Sequence, residues 1–74
     1  MKADKKKASM IFKNIADDGH INAMYAYFIM LFKGDGIEIN KEKAMNYLEM
    51  AANKGHLNAI IHSLIFFTKE ITLH

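Results

Sequence analysis

Apolar residues recur at helical spacing in two segments of the chain, residues 5–18 and 41–54. They occupy positions i, i+3, i+4 and i+7, and polar residues fill most of the other positions. The apolar sets are Ala8, Ile11, Phe12 and Ile15 in the first segment and Ala44, Tyr47, Leu48 and Ala51 in the second. The pattern predicts two amphipathic helices, which we call the B helices, each with one face in the core and one in water.

The residues that flank both segments are typical of helix ends. Asp4 and Asn40 are good N-cap residues, because their side-chain oxygens accept bonds from unpaired backbone N–H groups. Gly19 and Gly55 suit the left-handed position that follows the last turn of a helix. Each B helix is therefore expected to begin after its N-cap residue and to stop before its glycine.

Residues 21–33 and 57–70 are apolar on nearly all sides, and the chain contains no proline that would interrupt them. A helix without a polar face is normally surrounded by other helices. We therefore predict two interior helices, the A helices, and a chain order of B, A, B, A. After the first A helix, the glycines of Gly34-Asp35-Gly36-Ile37 predict a loop from which Ile37 folds back onto the core.

An internal repeat links the two halves of this pattern. Gly19-His20-Ile21-Asn22-Ala23 aligns with Gly55-His56-Leu57-Asn58-Ala59, which places position 19 on position 55 at an offset of 36 residues. The same offset superposes further identical pairs: Lys5 and Lys41, Lys7 and Lys43, Ala8 and Ala44, Ala16 and Ala52, Ile29 and Ile65, Lys33 and Lys69. A period of this length is typical of two-helix repeats that stack on their neighbours to bury their apolar faces.

The sequence therefore predicts an all-α fold, a fragment of an α/α repeat solenoid with about four antiparallel helices. A chain of 74 residues has room for one domain, which we divide into a half repeat (1–18), a full repeat (19–54) and a half repeat (55–74). The predicted core consists of Ala8, Ile11, Phe12, Ile15, Ala23, Tyr27, Leu31, Ile37, Ala44, Tyr47, Leu48, Ala51, Ala59 and Leu64.

The repeat carries a particular set of residues: Ala23, the double-glycine turn Gly34-x-Gly36-Ile37, the Lys43-Ala44 pair, the Ala51-Ala52 pair and Gly55. This set resembles the Sel-one-like repeat family, whose short α/α repeats are related to tetratricopeptide repeats, and the resemblance covers almost the whole chain. The chain departs from the family pattern at Phe28, where a small residue is usual, and at Leu31, where an aromatic one is usual. The resemblance implies an adaptor or scaffold that holds other proteins in complexes.

Composition narrows the possible functions. The net charge is only +2, and every basic residue is lysine. The chain therefore lacks the arginine guanidinium groups that bind phosphates and guanine edges through paired hydrogen bonds, and no nucleic-acid partner is expected. The absence of cysteine rules out a disulfide framework and fits a reducing compartment, so a cytoplasmic location is expected. The longest apolar runs fall well short of the roughly 20 residues that cross a bilayer, so no membrane partner is expected.

Candidate catalytic and metal-binding groups do not form a recognisable site. His20 and His56 sit at matching places in successive repeats, but no cysteine or third ligand accompanies them. Ser9 and Ser63 lie within predicted helices without an arranged base. We therefore predict a non-enzymatic protein without catalytic residues, cofactor or metal ion.

A repeated stripe along the A helices is the predicted binding surface. It consists of Asn22, Ala26, Ile29 and Lys33 and of their counterparts Asn58, His62, Ile65 and Lys69, which the spacing places on one face of each helix. Asparagine amides can hold an extended backbone, and the lysines favour an acidic ligand. The predicted partner is a protein or peptide; the alternative is a purely structural or self-associating repeat segment with no ligand of its own.

The last A helix is the predicted site of self-association. It carries many large apolar residues, and such a surface usually marks an interface. We expect a homodimer, the commonest closed arrangement, in which the C-terminal helices pack on each other or exchange between chains, with Ile61, Phe66 and Phe67 at the contact.

Overall fold

The computed structural model describes residues 4–72, with the side chains described as far as residue 68. It contains four α-helices, which are α1 (Lys5–Asp17), α2 (Ile21–Lys33), α3 (Lys41–Asn53) and α4 (Leu57–Thr72). Over this part of the chain there is no strand. The prediction of an all-α fold with four helices is confirmed; α1 and α3 are the B helices, and α2 and α4 are the A helices.

The ends of the B helices form as their flanking residues predict. The side chain of Asp4 accepts a hydrogen bond from the Lys7 backbone N–H at 3.0 Å, and Asn40 does the same for Lys43 at 3.0 Å. Each bond satisfies one of the unpaired N–H groups of a first helical turn. Gly19 and Gly55 follow the two helices with φ values of 100° and 95°, so the chain reverses direction there.

The loop between α2 and α3 packs on the start of α1. The salt bridge from Lys5 Nζ to Asp35 Oδ1 measures 2.9 Å. Gly36 has a φ of 85°, and a Cβ atom at this position would lie 2.6 Å from the Lys5 backbone. Only glycine therefore allows the loop to approach α1 so closely.

Each helix packs against the next one along the chain, and the most extensive of these contacts joins α2 to α3. The buried apolar cluster draws on all four helices. It consists of Ala16, Ala23, Met24, Tyr27, Phe28, Leu31, Ala44, Leu48, Ala51 and Ala59. Small alanines on α3 let that helix lie close to its neighbours, since close packing leaves no room for larger side chains.

Ten of the fourteen predicted core residues are buried or partly buried, but four are exposed. The prediction was wrong for Ile11, Phe12, Ile15 and Leu64. On α1 the buried side is marked by Ser9 and Ala16, and Ile11 lies about 160° around the helix from Ser9. On α4 the buried Ala59 faces inward, and Leu64 lies about 140° away. Within the described residues each end helix thus packs mainly on the helix next to it along the chain and keeps a second apolar face in solvent.

No helix in the described part of the chain combines the length and the apolar character that a membrane span requires.

Candidate functional site

The first turns of the two A helices share an open cleft. Its volume is about 750 Å³, and its lining comes from the repeated turn motif: Gly19, His20, Ile21, Asn22, Gly55, His56, Leu57 and Asn58. Asn22 and Asn58 are both exposed and so can present their amide groups to a ligand. The structure therefore brings the first members of the two predicted stripes to one cleft.

His56 has a structural role at this cleft. Its Nδ1 accepts a hydrogen bond from the Ala59 backbone N–H at 3.1 Å and so caps the first turn of α4. Its ring stacks on Tyr25, with 4.5 Å between the ring centroids. Its counterpart His20 is the N-cap residue of α2 but makes no side-chain cap bond. In the described residues no group of three or more histidine or acidic side chains is placed to hold a metal ion.

A row of aromatic rings connects α2 and α4, and sequence reasoning missed it. The ring centroids of Phe32 and Phe66 lie 5.6 Å apart, and those of Phe28 and His62 lie 5.9 Å apart. The Tyr25 hydroxyl shares a hydrogen bond with His62 Nδ1 at 3.2 Å. The row consists of Tyr25, Phe28 and Phe32 on α2 and His56, His62 and Phe66 beside or on α4.

A signal for this row was present in the sequence. Tyr25, Phe28 and Phe32 follow each other at i, i+3 and i+7, and His62 and Phe66 at i and i+4, so each set shares one helix face. The departure from the family pattern at Phe28 is explained here, because its buried ring packs among the α4 rings. The two A helices are thus joined by side-chain rings.

The remaining stripe residues differ in accessibility. Ala26 and Ile29 are partly buried on α2, and Lys33 is exposed at its last turn. On α4, Ile65 is exposed, but His62 is partly buried and tied to Tyr25. The side chain of Lys69 lies outside the described residues.

The residues predicted for self-association fall into two environments. Phe66 is partly buried and packs its ring against Phe28 and Phe32 of its own chain. Ile61 and Phe67 are exposed to solvent, with 62% of Phe67 accessible. Phe66 therefore belongs to the intramolecular row of rings, while Ile61 and Phe67 remain available to a partner.

Away from the stripes, a chain of polar contacts ties α1 to α3. The Tyr47 hydroxyl donates to Asp17 Oδ1 at 2.7 Å, and Lys13 Nζ donates to Asp17 Oδ2 at 2.9 Å. The bonds from Lys13 and Tyr47 hold the pKa of Asp17 below its usual value. Burial, followed by the bond to Asp17, raises the pKa of Tyr47 to about 12. At neutral pH Asp17 is therefore ionised and Tyr47 is neutral, which keeps the link intact.

Comparison with known proteins supports the interpretation of the repeat. A segment of 65 residues, 86% of this chain, is 35% identical to chitin synthase regulatory factor 2 of Schizosaccharomyces pombe (strain 972 / ATCC 24843). The chain spans 13% of the length of that protein. No solved structure matches the chain.

The sequence model of the Sel1 repeat family matches residues 21–56. That range contains α2, the double-glycine turn, α3 and Gly55, which carry the residues on which the resemblance to Sel-one-like repeats depends. Sel1 repeats are helical modules that generally mediate contacts between proteins and are typically not catalytic. Residues 21–56 of the chain are therefore a Sel1 repeat.

Proposed function

We propose that this chain is a non-enzymatic binding module of an adaptor or scaffold protein, and that it holds a peptide or protein segment along its A helices. One observation carries the proposal: the shared cleft in which Asn22 and Asn58 stand at equivalent places on two neighbouring repeats. A repeated polar group at regular intervals suits a ligand that is itself periodic, and an extended peptide backbone has this property.

The chemistry of the stripes favours an acidic peptide. Each asparagine amide offers both donors and an acceptor, so it can pair with the N–H and C=O groups of a backbone. The exposed Ile65 and the partly buried Ile29 offer apolar contacts about two helical turns further along the two helices. Lys33 adds positive charge at the far end of α2, and Lys69 is its sequence counterpart on α4. Positive charge there speeds association with an acidic ligand and selects against a basic one.

The similar protein from fission yeast is named a regulatory factor of chitin synthase. A regulatory factor acts on another protein, and the proposed adaptor role agrees with such an activity. Because the chain spans only 13% of that protein, the proposal concerns the module alone. In this proposal one group of repeats holds one partner.

The binding proposal is tested by selecting peptides from a random library on the immobilised chain and measuring their affinity by fluorescence anisotropy. The selected peptides are expected to be rich in aspartate and glutamate. The double variant Asn22→Ala, Asn58→Ala should weaken binding by roughly 10-fold or more, the cost of about two net hydrogen bonds. The matched control is Asn53→Ala, because Asn53 is also exposed but ends α3. Peptides that bind equally to the double variant would contradict the proposal.

A second candidate function is structural: a repeat segment that associates with itself and has no other ligand. The exposed apolar side chains of α4, among them Ile61 and Phe67, support it. The library selection separates the two functions, because a purely structural segment would enrich no peptide.

A further inference from the structure

Both end helices expose an apolar face on which, among the described residues, no other helix lies. On α4 this face carries Ile60, Leu64 and Phe67, and we call it the α4 end face. On α1 it carries Ile11, Phe12 and Ile15, and we call it the α1 end face. Contiguous apolar surface of this kind marks an interface in a folded protein.

The internal repeat shows what covers the α4 end face in the middle of the array. The offset between the repeats places Leu64 on Phe28 and Phe67 on Leu31 of α2. Leu64 is 60% exposed and Phe67 62%, whereas Phe28 and Leu31 are 2% and 3% exposed. The equivalent face of α2 is therefore buried: the Phe28 ring packs against His62 and Phe66 of α4, and Leu31 lies in the buried cluster that α2 shares with α3.

The α1 end face has a buried equivalent as well. The same offset places Ile11 on Tyr47, Phe12 on Leu48 and Ile15 on Ala51 of α3. Leu48 and Ala51 are fully buried, and the Tyr47 ring packs edge-on against Tyr27 of α2 at a centroid distance of 4.8 Å. The α1 end face is thus the counterpart of the α3 surface that meets α2, and the α4 end face is the counterpart of an α2 surface that is buried among α3 and α4.

From this correspondence we infer that a second copy of the chain docks head to tail, with α4 of one copy on α1 of the next in the arrangement of α2 on α3. The chain itself supplies both halves of the interface, so the α1 end face of one copy complements the α4 end face of another. The inference is independent of the peptide-binding stripe. It rests on the proposed division into a half repeat, a full repeat and a half repeat. In the docked pair, α4 of one copy and α1 of the next copy form one further repeat.

The side chains of the two end faces suit this contact in polarity and in size. From Leu57 to Thr68, α4 carries no charged residue, so an apolar helix can cover it without burying an unpaired charge. At the position of Tyr27 on α2, α4 has the smaller Ser63. At the position of Ala51 on α3, α1 has the larger Ile15. These volume changes have opposite signs on the two sides of the interface, which keeps the total close to that of a packed core.

Head-to-tail docking is heterologous, and its consequence differs from that of symmetric pairing between C-terminal helices. A docked pair leaves one α1 end face and one α4 end face free, so association continues beyond the dimer. The symmetric dimer uses only α4 and stops at two chains.

The test uses two variants of the chain, Ile11→Glu and Leu64→Glu, each of which charges one exposed end face. Sedimentation velocity of the wild-type chain should show species that grow with concentration. Each variant alone should sediment as a monomer, because every docking event needs both faces. An equimolar mixture should form a one-to-one dimer and nothing larger, since the intact α4 end face of Ile11→Glu meets the intact α1 end face of Leu64→Glu.

A matched control and a fold check accompany the variants. Lys6→Glu introduces the same residue on α1, but on the exposed side away from the α1 end face, and should assemble as the wild type does. Circular dichroism should give equal helicity for all variants, because the altered residues are exposed. If Ile11→Glu loses helicity, Ile15→Gln replaces it on the same face.

Cross-linking provides a second measurement. Ser63 and Ile11 are the counterparts of the paired Tyr27 and Tyr47, and the chain has no cysteine of its own. A mixture of Ser63→Cys and Ile11→Cys, treated with a short bismaleimide, should give the mixed dimer as its main product.

Three results would overturn the inference. If Ile11→Glu assembles like the wild type, the contact does not use α1, and a symmetric α4 pairing takes its place. If the mixture of the two glutamate variants stays monomeric, the two faces do not meet. A wild-type chain that remains monomeric up to about millimolar concentration would show that these faces bind a different partner.

Discussion

Gly36 and Gly19 both adopt a positive φ, but their surroundings differ. A Cβ atom on Gly36 would lie 2.6 Å from the Lys5 backbone, whereas nothing lies within 4 Å of one on Gly19. Gly36→Ala should therefore lower the free energy of unfolding by about 2–4 kcal/mol. Part of this loss comes from the positive φ, which alanine disfavours, and part from the clash of the new Cβ atom with α1. In the matched control, Gly19→Ala, only the strain of the positive φ applies, so the free energy of unfolding should fall by about 1–2 kcal/mol. Urea unfolding measures both, and equal losses would argue against the close approach of the loop to α1.

Tyr47, through its burial and its bond to Asp17, and Asp17, through its bonds to Lys13 and Tyr47, make stability depend on pH at both extremes. The folded pKa of Tyr47 is about 12 against an ordinary 10.0, so its contribution is complete below pH 10 and is lost as the pH rises from 10 to 12. The pKa of Asp17 is lowered, so its contribution is present above its ordinary value of 3.8 and is lost as the pH falls through the folded value. The pKa of Lys13 is raised by its bond to Asp17, so its contribution is also lost at alkaline pH.

Tyr47→Phe separates these contributions. The variant should lose less stability than the wild type between pH 10 and 12, because the tyrosine no longer ionises, while the part that belongs to Lys13 should remain. Urea unfolding at pH 9, 10, 11 and 12 measures the difference. Parallel pH profiles for the variant and the wild type would show that folding does not raise the pKa of Tyr47.

The contact between helices α2 and α4 is made by ring side chains more than by close approach of the two backbones. Phe66 and Phe67 test this directly, because they are adjacent and chemically identical, yet Phe66 packs among the α2 rings and Phe67 is 62% exposed. Phe66→Ala should cost about 2–3 kcal/mol, less than a fully buried phenylalanine because the ring is only partly covered. Phe67→Ala should cost less than about 0.5 kcal/mol at low protein concentration.

Thermal unfolding in dilute solution measures the two losses separately from assembly. If the two alanine variants unfold at the same Tm, the row of rings does not stabilise the fold. At high concentration Phe67→Ala should also weaken association, because Phe67 lies on the α4 end face.

At the scale of the whole molecule, stability and association are coupled. A small domain buries a modest share of its surface, so covering both end faces adds noticeably to its stability. Because docking requires folded chains, the Tm of the wild type should rise by several degrees for each tenfold increase in concentration above the dissociation constant. Ile11→Glu and Leu64→Glu, measured singly, should show a Tm that does not change with concentration. A wild-type Tm independent of concentration would contradict the coupling.

The helices and the repeat could be predicted from local features of the sequence. Periodicity, the N-cap residues Asp4 and Asn40 and the turn glycines are local signals, because each depends on neighbours a few residues away. They were sufficient for the four helices, for most of the core on α2 and α3, and for the family. The repeat offset also identified Asn22 and Asn58 as equivalent, which the structure places in one cleft.

Which apolar face of each helix is covered depends on how the helices pack against one another. Helix α1 carries two apolar faces, and periodicity cannot distinguish the one marked by Ala16, which meets α2, from the one with Ile11 and Ile15, which stays exposed. The partners of Phe66 likewise depended on how α4 lies beside α2. The physical reason is that apolar spacing records that a face prefers to be buried, whereas burial also requires a neighbour, and the position of the neighbour is a property of the packed molecule.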